Sequence, residues 1–128
     1  MTTRTGPCIL LVDDEKEFAS TLADRLNLRG FCASVALDGE SALARINTEH
    51  FDLALLDVML PGMHGINVLR RIRETKPALP VILLTGQAGA KDGIEGMKQG
   101  AKGYLTKPVD LRELLDLFST LIPGENNA

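Results

Sequence analysis

Cysteine is scarce in this chain. Cys8 and Cys32 are the only two, and no CxxC pair or Cys/His spacing offers a zinc site. Both fall in apolar, strand-like stretches, where a small buried thiol is the simplest expectation. A long apolar run is missing as well. CILLV at 8–12 is too short to cross a bilayer, and the opening MTTRTG is not followed by the apolar region of a secretory signal. The expected location is therefore cytoplasmic, with no membrane partner. Charge of one sign is also in short supply. Fourteen basic and 17 acidic residues leave a formal charge of −3, and no dense Lys/Arg run or basic amphipathic helix argues for direct nucleic-acid binding. What is present is an ordinary globular composition: 128 residues, 45% hydrophobic and 24% charged, enough for one substantial core. One domain is expected over residues 1–122. Pro123-Gly124 and the polar ending mark a stop and a loose tail over 123–128.

Hydrophobic periodicity alternates along the chain between strand and helix. CILLV at 8–12 reads as a buried strand that stops at Asp13, Asp14 and Glu15. Phe18, Leu22 and Leu26 then recur at four-residue spacing, predicting an amphipathic helix that ends near Gly30. FCASV at 31–35 is a second strand. Asp38 caps a helix that buries Ala42, Leu43 and Ile46 while Arg45 and Glu49 stay wet. FDLALL at 51–56 runs directly into Asp57. Pro61, Gly62 and Gly65 punctuate the next loop, before a helix carrying Ile66, Leu69 and Ile72. Pro80 introduces VILLT at 81–85.

The stretch 89–100 can turn Ile94 and Met97 to a core, but Gly93 and Gly96 each lower helix stability by roughly 1 kcal/mol relative to Ala. A short fifth strand at 103–105 leads to Lys107-Pro108. Asp110 and Glu113 have capping-box spacing ahead of Leu111, Leu114, Leu115 and Phe118. Nearly continuous apolar strands alternating with helices predict an α/β fold: a flavodoxin-like, doubly wound parallel sheet of five strands, order 2-1-3-4-5, with helices on both faces. In that order the ends of strands one and three meet at the topological switch. Those ends carry Asp13, Asp14 and Asp57.

Adjacent acids often do no more than cap a helix, and a lone Thr or Lys at a strand end is usually a turn or surface residue. Together they supply a chemistry. Two like charges 4 Å apart cost about 4 kcal/mol at an effective dielectric near 20. A divalent cation relieves that repulsion, and Mg²⁺ suits an oxygen-rich site that receives phosphate. Asp57 can attack phosphorus to form an acyl phosphate. The Thr85 hydroxyl and the Lys107 ammonium can meet phosphoryl oxygens from neighbouring strand ends.

ILLVDDE at 9–15, DVMLPGMHG at 57–65, VILLTG at 81–86 and YLTKP at 104–108 occur in this order and in these strand contexts. On them the chain resembles the bacterial response-regulator receiver family, the single-domain chemotaxis type included, over nearly its whole length. The resemblance implies that Asp57 is the phosphorylated aspartate and that Asp13 and Asp14 arrange Mg²⁺. It implies that Met59 adds its backbone carbonyl to the metal. Thr85 matches the switch hydroxyl, Lys107 its cationic partner, Gly86 the small residue beside the site, and Tyr104 the aromatic switch position. A cis bond between Lys107 and Pro108 is implied too. His50 and His64 are given no catalytic role, as surface or loop histidines. Lys102 and Gly103 stand where the family often has acidic residues, and the fourth helix is unusually rich in glycine.

The resemblance further implies a regulated phosphoacceptor, not an enzyme in its own right, that assists its own phosphorylation and dephosphorylation in a two-component system or phosphorelay. Its partners would be a sensor histidine kinase or histidine phosphotransfer protein and a separate downstream effector. A stand-alone adaptor or relay component is expected in preference to a complete DNA-binding regulator. The fourth helix, fifth strand and fifth helix would form the switching face, which could also pair two copies as a homodimer. The alternative is a noncatalytic receiver-like interaction module. A flavodoxin-like cofactor protein lacks support, since DDE is a poor phosphate cradle without metal. A haloacid-dehalogenase-type phosphatase would carry a second aspartate where Met59 stands.

Overall fold

Strands that are apolar on both faces need cover on both sides, and the described residues meet that need by alternating ten elements. In the computed structural model, residues 6–86 and 90–122 are described. The elements run β1 (Cys8–Val12), α1 (Lys16–Leu28), β2 (Cys32–Ala36), α2 (Gly39–Thr48), β3 (Leu53–Asp57), α3 (Gly65–Thr75), β4 (Val81–Thr85), α4 (Ala90–Lys98), β5 (Gly103–Thr106) and α5 (Leu111–Leu121). All strand pairs are parallel, in the order β2-β1-β3-β4-β5. The predicted architecture is the observed one. The opening residues 1–5, Gly89 and the tail expected at 123–128 lie outside the described residues.

Side-chain alternation divides the core in two. Leu10, Val12, Ala54, Leu56 and Leu83 face α2 and α3, meeting Ala42, Ile46, Val68, Leu69 and Ile72. Ile9, Leu11, Leu53, Leu55 and Ile82 face α1 and α5, meeting Leu22, Leu26, Leu114 and Phe118. A period of two across buried strands, read against a period near 3.6 on the helices, forces this double-sided packing. Gly30, at φ +95°, turns the chain out of α1 as expected. Asp38 caps α2 by accepting from Ser41 N–H at 2.7 Å, and Asp110 caps α5 by accepting from Arg112 N–H at 2.9 Å.

Several local expectations are corrected. β2 and β3 begin one and two residues later than the apolar runs suggested. Phe31 is left outside β2, edge-on to Phe118 with ring centroids 5.2 Å apart, and Asp52 accepts from Cys8 N–H at 2.7 Å. The cysteines are half-buried, not buried, and both are free. They lie opposite each other at the start of β1 and the edge strand β2, where cover is incomplete. Arg45 is not simply wet: its guanidinium sits 5.4 Å from the centroid of Phe51 and bonds Ser34 and Glu49.

The largest correction concerns α4. Ile94 and Met97 point outward, 53% and 44% exposed, while Gly93 and Gly96 are buried. A Cβ on Gly96 would fall 1.9 Å from Leu83 Cδ1, and one on Gly93 would fall 2.5 Å from Tyr104 Cδ2. The glycine face is the one that meets β4 and β5. Close approach replaces side-chain interdigitation there.

Candidate functional site

Strand register brings the acids level. Val12 pairs with Leu56 across β1 and β3, so Asp13 and Asp57, each the next residue, leave adjacent strands side by side at the switch point. Asp57 in turn pairs with Leu84, which puts Thr85 one step further along β4. Thr85 pairs with Thr106, and Lys107 follows at once, its N–H donating to the Thr85 carbonyl at 2.7 Å. The Lys107-Pro108 bond is cis. Four consecutive strand ends thus deliver two acids, a hydroxyl and an ammonium to one rim.

Asp13, Asp14 and Asp57 each offer an oxygen, and these atoms lie within 4.8 Å of one another. Asp13 and Asp57 are 1% and 5% exposed, whereas Asp14 is open to solvent. Asp13 Oδ1 accepts from Glu15 N–H at 2.9 Å, and Asp57 Oδ1 accepts from Met59 N–H at 3.0 Å. Lys107 answers the negative charge. Its Nζ is 2.8 Å from Asp13 Oδ2, 2.6 Å from Glu15 Oε1 and 3.4 Å from Asp57 Oδ2.

Burial raises the Asp57 carboxyl above the ordinary aspartate range, and the Asp13 charge adds to this against the opposing Met59 N–H and Lys107. Burial alone would lower the Lys107 ammonium. Hydrogen bonding to Asp13 and Glu15, with the fields of Asp13 and Asp57, outweighs it and holds Lys107 above its usual value.

The donor set is oxygen throughout, which suits a hard divalent cation. The Met59 side chain is 65% exposed while its N–H is committed to Asp57, so this residue meets the site through its backbone. Thr85 Oγ1 is buried and has no hydrogen-bond partner among the described residues. A buried hydroxyl normally has one, and an anion arriving at Asp57 would supply an acceptor. Gly86 is exposed, and a Cβ there would meet nothing within 4 Å. Tyr104 lies on the outer side, 36% exposed, with its ring over Gly93.

Three contributors escaped the sequence reading. Glu15 binds the lysine from 92 residues away, a separation that no local pattern reveals. Gly65 reads only as punctuation, yet a Cβ there would fall 2.5 Å from the Asp57 carbonyl oxygen; its N–H donates to the Val58 carbonyl at 2.8 Å, seating α3 against the site. His64 is exposed but not idle, since its Nδ1 accepts from Ile66 N–H at 3.2 Å and caps α3. Its place just before an apolar helical run was the available signal.

Comparison with known proteins agrees with this geometry. Residues 9–119 match the response regulator receiver domain family. Transcriptional regulatory protein CpxR of Klebsiella pneumoniae is 46% identical over 107 residues, covering 84% of this chain and 45% of that protein. Sensory transduction protein RegX3 of Mycobacterium tuberculosis is 41% identical over 107 residues, covering 84% and 47% respectively. The chain therefore spans just under half the length of these curated relatives. Among solved structures, the Francisella response regulator 1452 receiver domain superposes with a TM-score of 0.84 at 35% identity, covering 91% of this chain and 96% of that one. With the family matched over most of the chain, the sheet order reproduced and the acids gathered at its switch point, this chain belongs to the response regulator receiver domain family.

Proposed function

We propose that Asp57 accepts a phosphoryl group from a phosphohistidine partner and that the modified domain presents an altered protein-binding face. The observation that carries this reading is the Asp57 carboxylate itself. It is buried at the switch point, with Oδ1 held by Met59 N–H and Oδ2 beside Lys107. Holding one oxygen leaves the other to form the O–P bond as the donor's N–P bond breaks. Mg²⁺, held by Asp13, Asp14, Asp57 and the Met59 carbonyl, would supply charge compensation for the phosphoryl oxygens. Lys107 offers a second positive charge at the same place and must loosen its grip on Glu15 to use it. Water later hydrolyses the acyl phosphate.

The Thr85 hydroxyl then gains the acceptor it lacks. Its movement toward the phosphoryl group opens space that Tyr104 can enter, changing the surface formed by α4, β5 and α5. A sensor histidine kinase or histidine phosphotransfer protein would be the donor, and a separate effector, or a second copy of the chain, would read the changed face.

Incubation with acetyl phosphate and Mg²⁺, followed by intact-mass measurement, tests the chemistry. One added phosphoryl mass is expected, and Asp57→Asn is expected to lose it. If no small donor and no histidine kinase adds that mass, the domain is a receiver-like interaction module instead.

A further inference from the structure

A lysine ammonium on a flexible four-carbon stem needs something to fix its height above a small target. The Lys107 Nζ lies 4.7 Å from the centroid of the Phe18 ring, in the first turn of α1. Phe18 is half-buried and packs against the core cluster on the α1/α5 side. Around the same ammonium stand Asp13, Glu15 and Asp57. Two of those acids belong to the metal cluster and the third is exposed. Each of the three carboxylates has reason to change its bonding when a cation or a phosphoryl group arrives. The ring does not.

Leu22 and Leu26, further along the same row of α1, are buried in the core, and an aliphatic residue at 18 would continue that row. What an aliphatic residue lacks is the negative ring face that attracts a cation, an attraction that strengthens as water is excluded. The Lys107 side chain is only 17% exposed.

We propose that Phe18 is a positioning residue for Lys107, its ring keeping the ammonium at the level of the Asp57 carboxylate while the lysine exchanges Glu15 for phosphoryl oxygen. This rests on the phosphoacceptor reading of Asp57.

The test compares Phe18→Leu with Phe18→Tyr in the full chain. Lys107 acylation by acetic anhydride is followed by peptide mass in the resting protein. Phosphorylation by acetyl phosphate is timed, and Mg²⁺ affinity is measured by calorimetry. Loss of the ring face in Phe18→Leu is expected to speed Lys107 acylation and slow phosphorylation, each about three- to tenfold, with Mg²⁺ affinity unchanged. Phe18→Tyr, which keeps the ring, is expected to match the wild type. Equal behaviour of Phe18→Leu and wild type in both rates overturns the proposal, and so does equal impairment of the Leu and Tyr variants, which would reduce Phe18 to packing. If the wild type gains no phosphoryl mass, the phosphoacceptor reading fails separately, and the acylation contrast still decides whether Phe18 holds the lysine.

Discussion

Leaving a buried hydroxyl unpaired costs about 1–3 kcal/mol, and Thr85 Oγ1 finds no partner among the described residues. Thr85→Val removes the oxygen and keeps the shape. It is expected to raise the resting protein's unfolding free energy by about 1 kcal/mol, measured by urea titration. The same variant should lose much of the extra stability that beryllofluoride confers on the wild type, because the mimic's acceptors have no hydroxyl to meet. A residue that makes the resting state less stable and the modified state more so is what a switch requires. The candidate-site residues were legible where they end an apolar strand: Asp13, Asp57, Thr85 and Lys107 all stand at the point where hydrophobic pattern gives way to polar. Glu15 and Phe18 were harder to see as site residues. One reads as helix start and the other as core stripe, and only the fold places both around Lys107.

Elements were legible in kind and less so in orientation. The three-to-four-residue period places α1, α3 and α5 correctly because large apolar side chains mark the buried face. In α4 the same rule points the wrong way: Ile94 and Met97 are exposed, and the buried positions are glycines. Hydrophobicity scales register what a side chain gains by burial. They cannot register a contact whose point is the absence of a side chain. Glycine here lowers helix propensity and tightens the helix–sheet contact at once, so propensity alone is a poor guide to this helix's stability. Gly96→Ala separates the effects. Propensity predicts a gain of about 1 kcal/mol, while the added methyl would meet the fully buried Leu83 and overpack the core at about 1–3 kcal/mol. A net loss is expected, read as a lower urea midpoint. Gly93 stands against Tyr104 in the same way, and this links the tightness of α4 to the position of the aromatic ring on the outer face.

At the scale of the whole molecule, topology is the most legible feature, and it also locates the site. A β2-β1-β3-β4-β5 order makes a crevice where the connections leaving β1 and β3 part, and Asp13, Asp14 and Asp57 are gathered there. Burial of Asp13 and Asp57 beside each other would be destabilising without compensation, and Lys107 provides it from the far side of the sequence. Ligand linkage then has a definite sign. Magnesium at about 100 times its dissociation constant should add about 2.7 kcal/mol to the folded state, seen as a higher melting temperature, and Asp13→Asn should diminish that gain. Chelation is expected to reverse the gain and go no further, with the far-ultraviolet spectrum unchanged after EDTA. The reason lies in the lysine's tether. A tethered counterion cannot diffuse away, so Lys107 offsets the charge of Asp13 and Asp57 whether or not a divalent cation is bound. On the proposed function, phosphorylation of Asp57 would follow the ionic supply while the architecture would not.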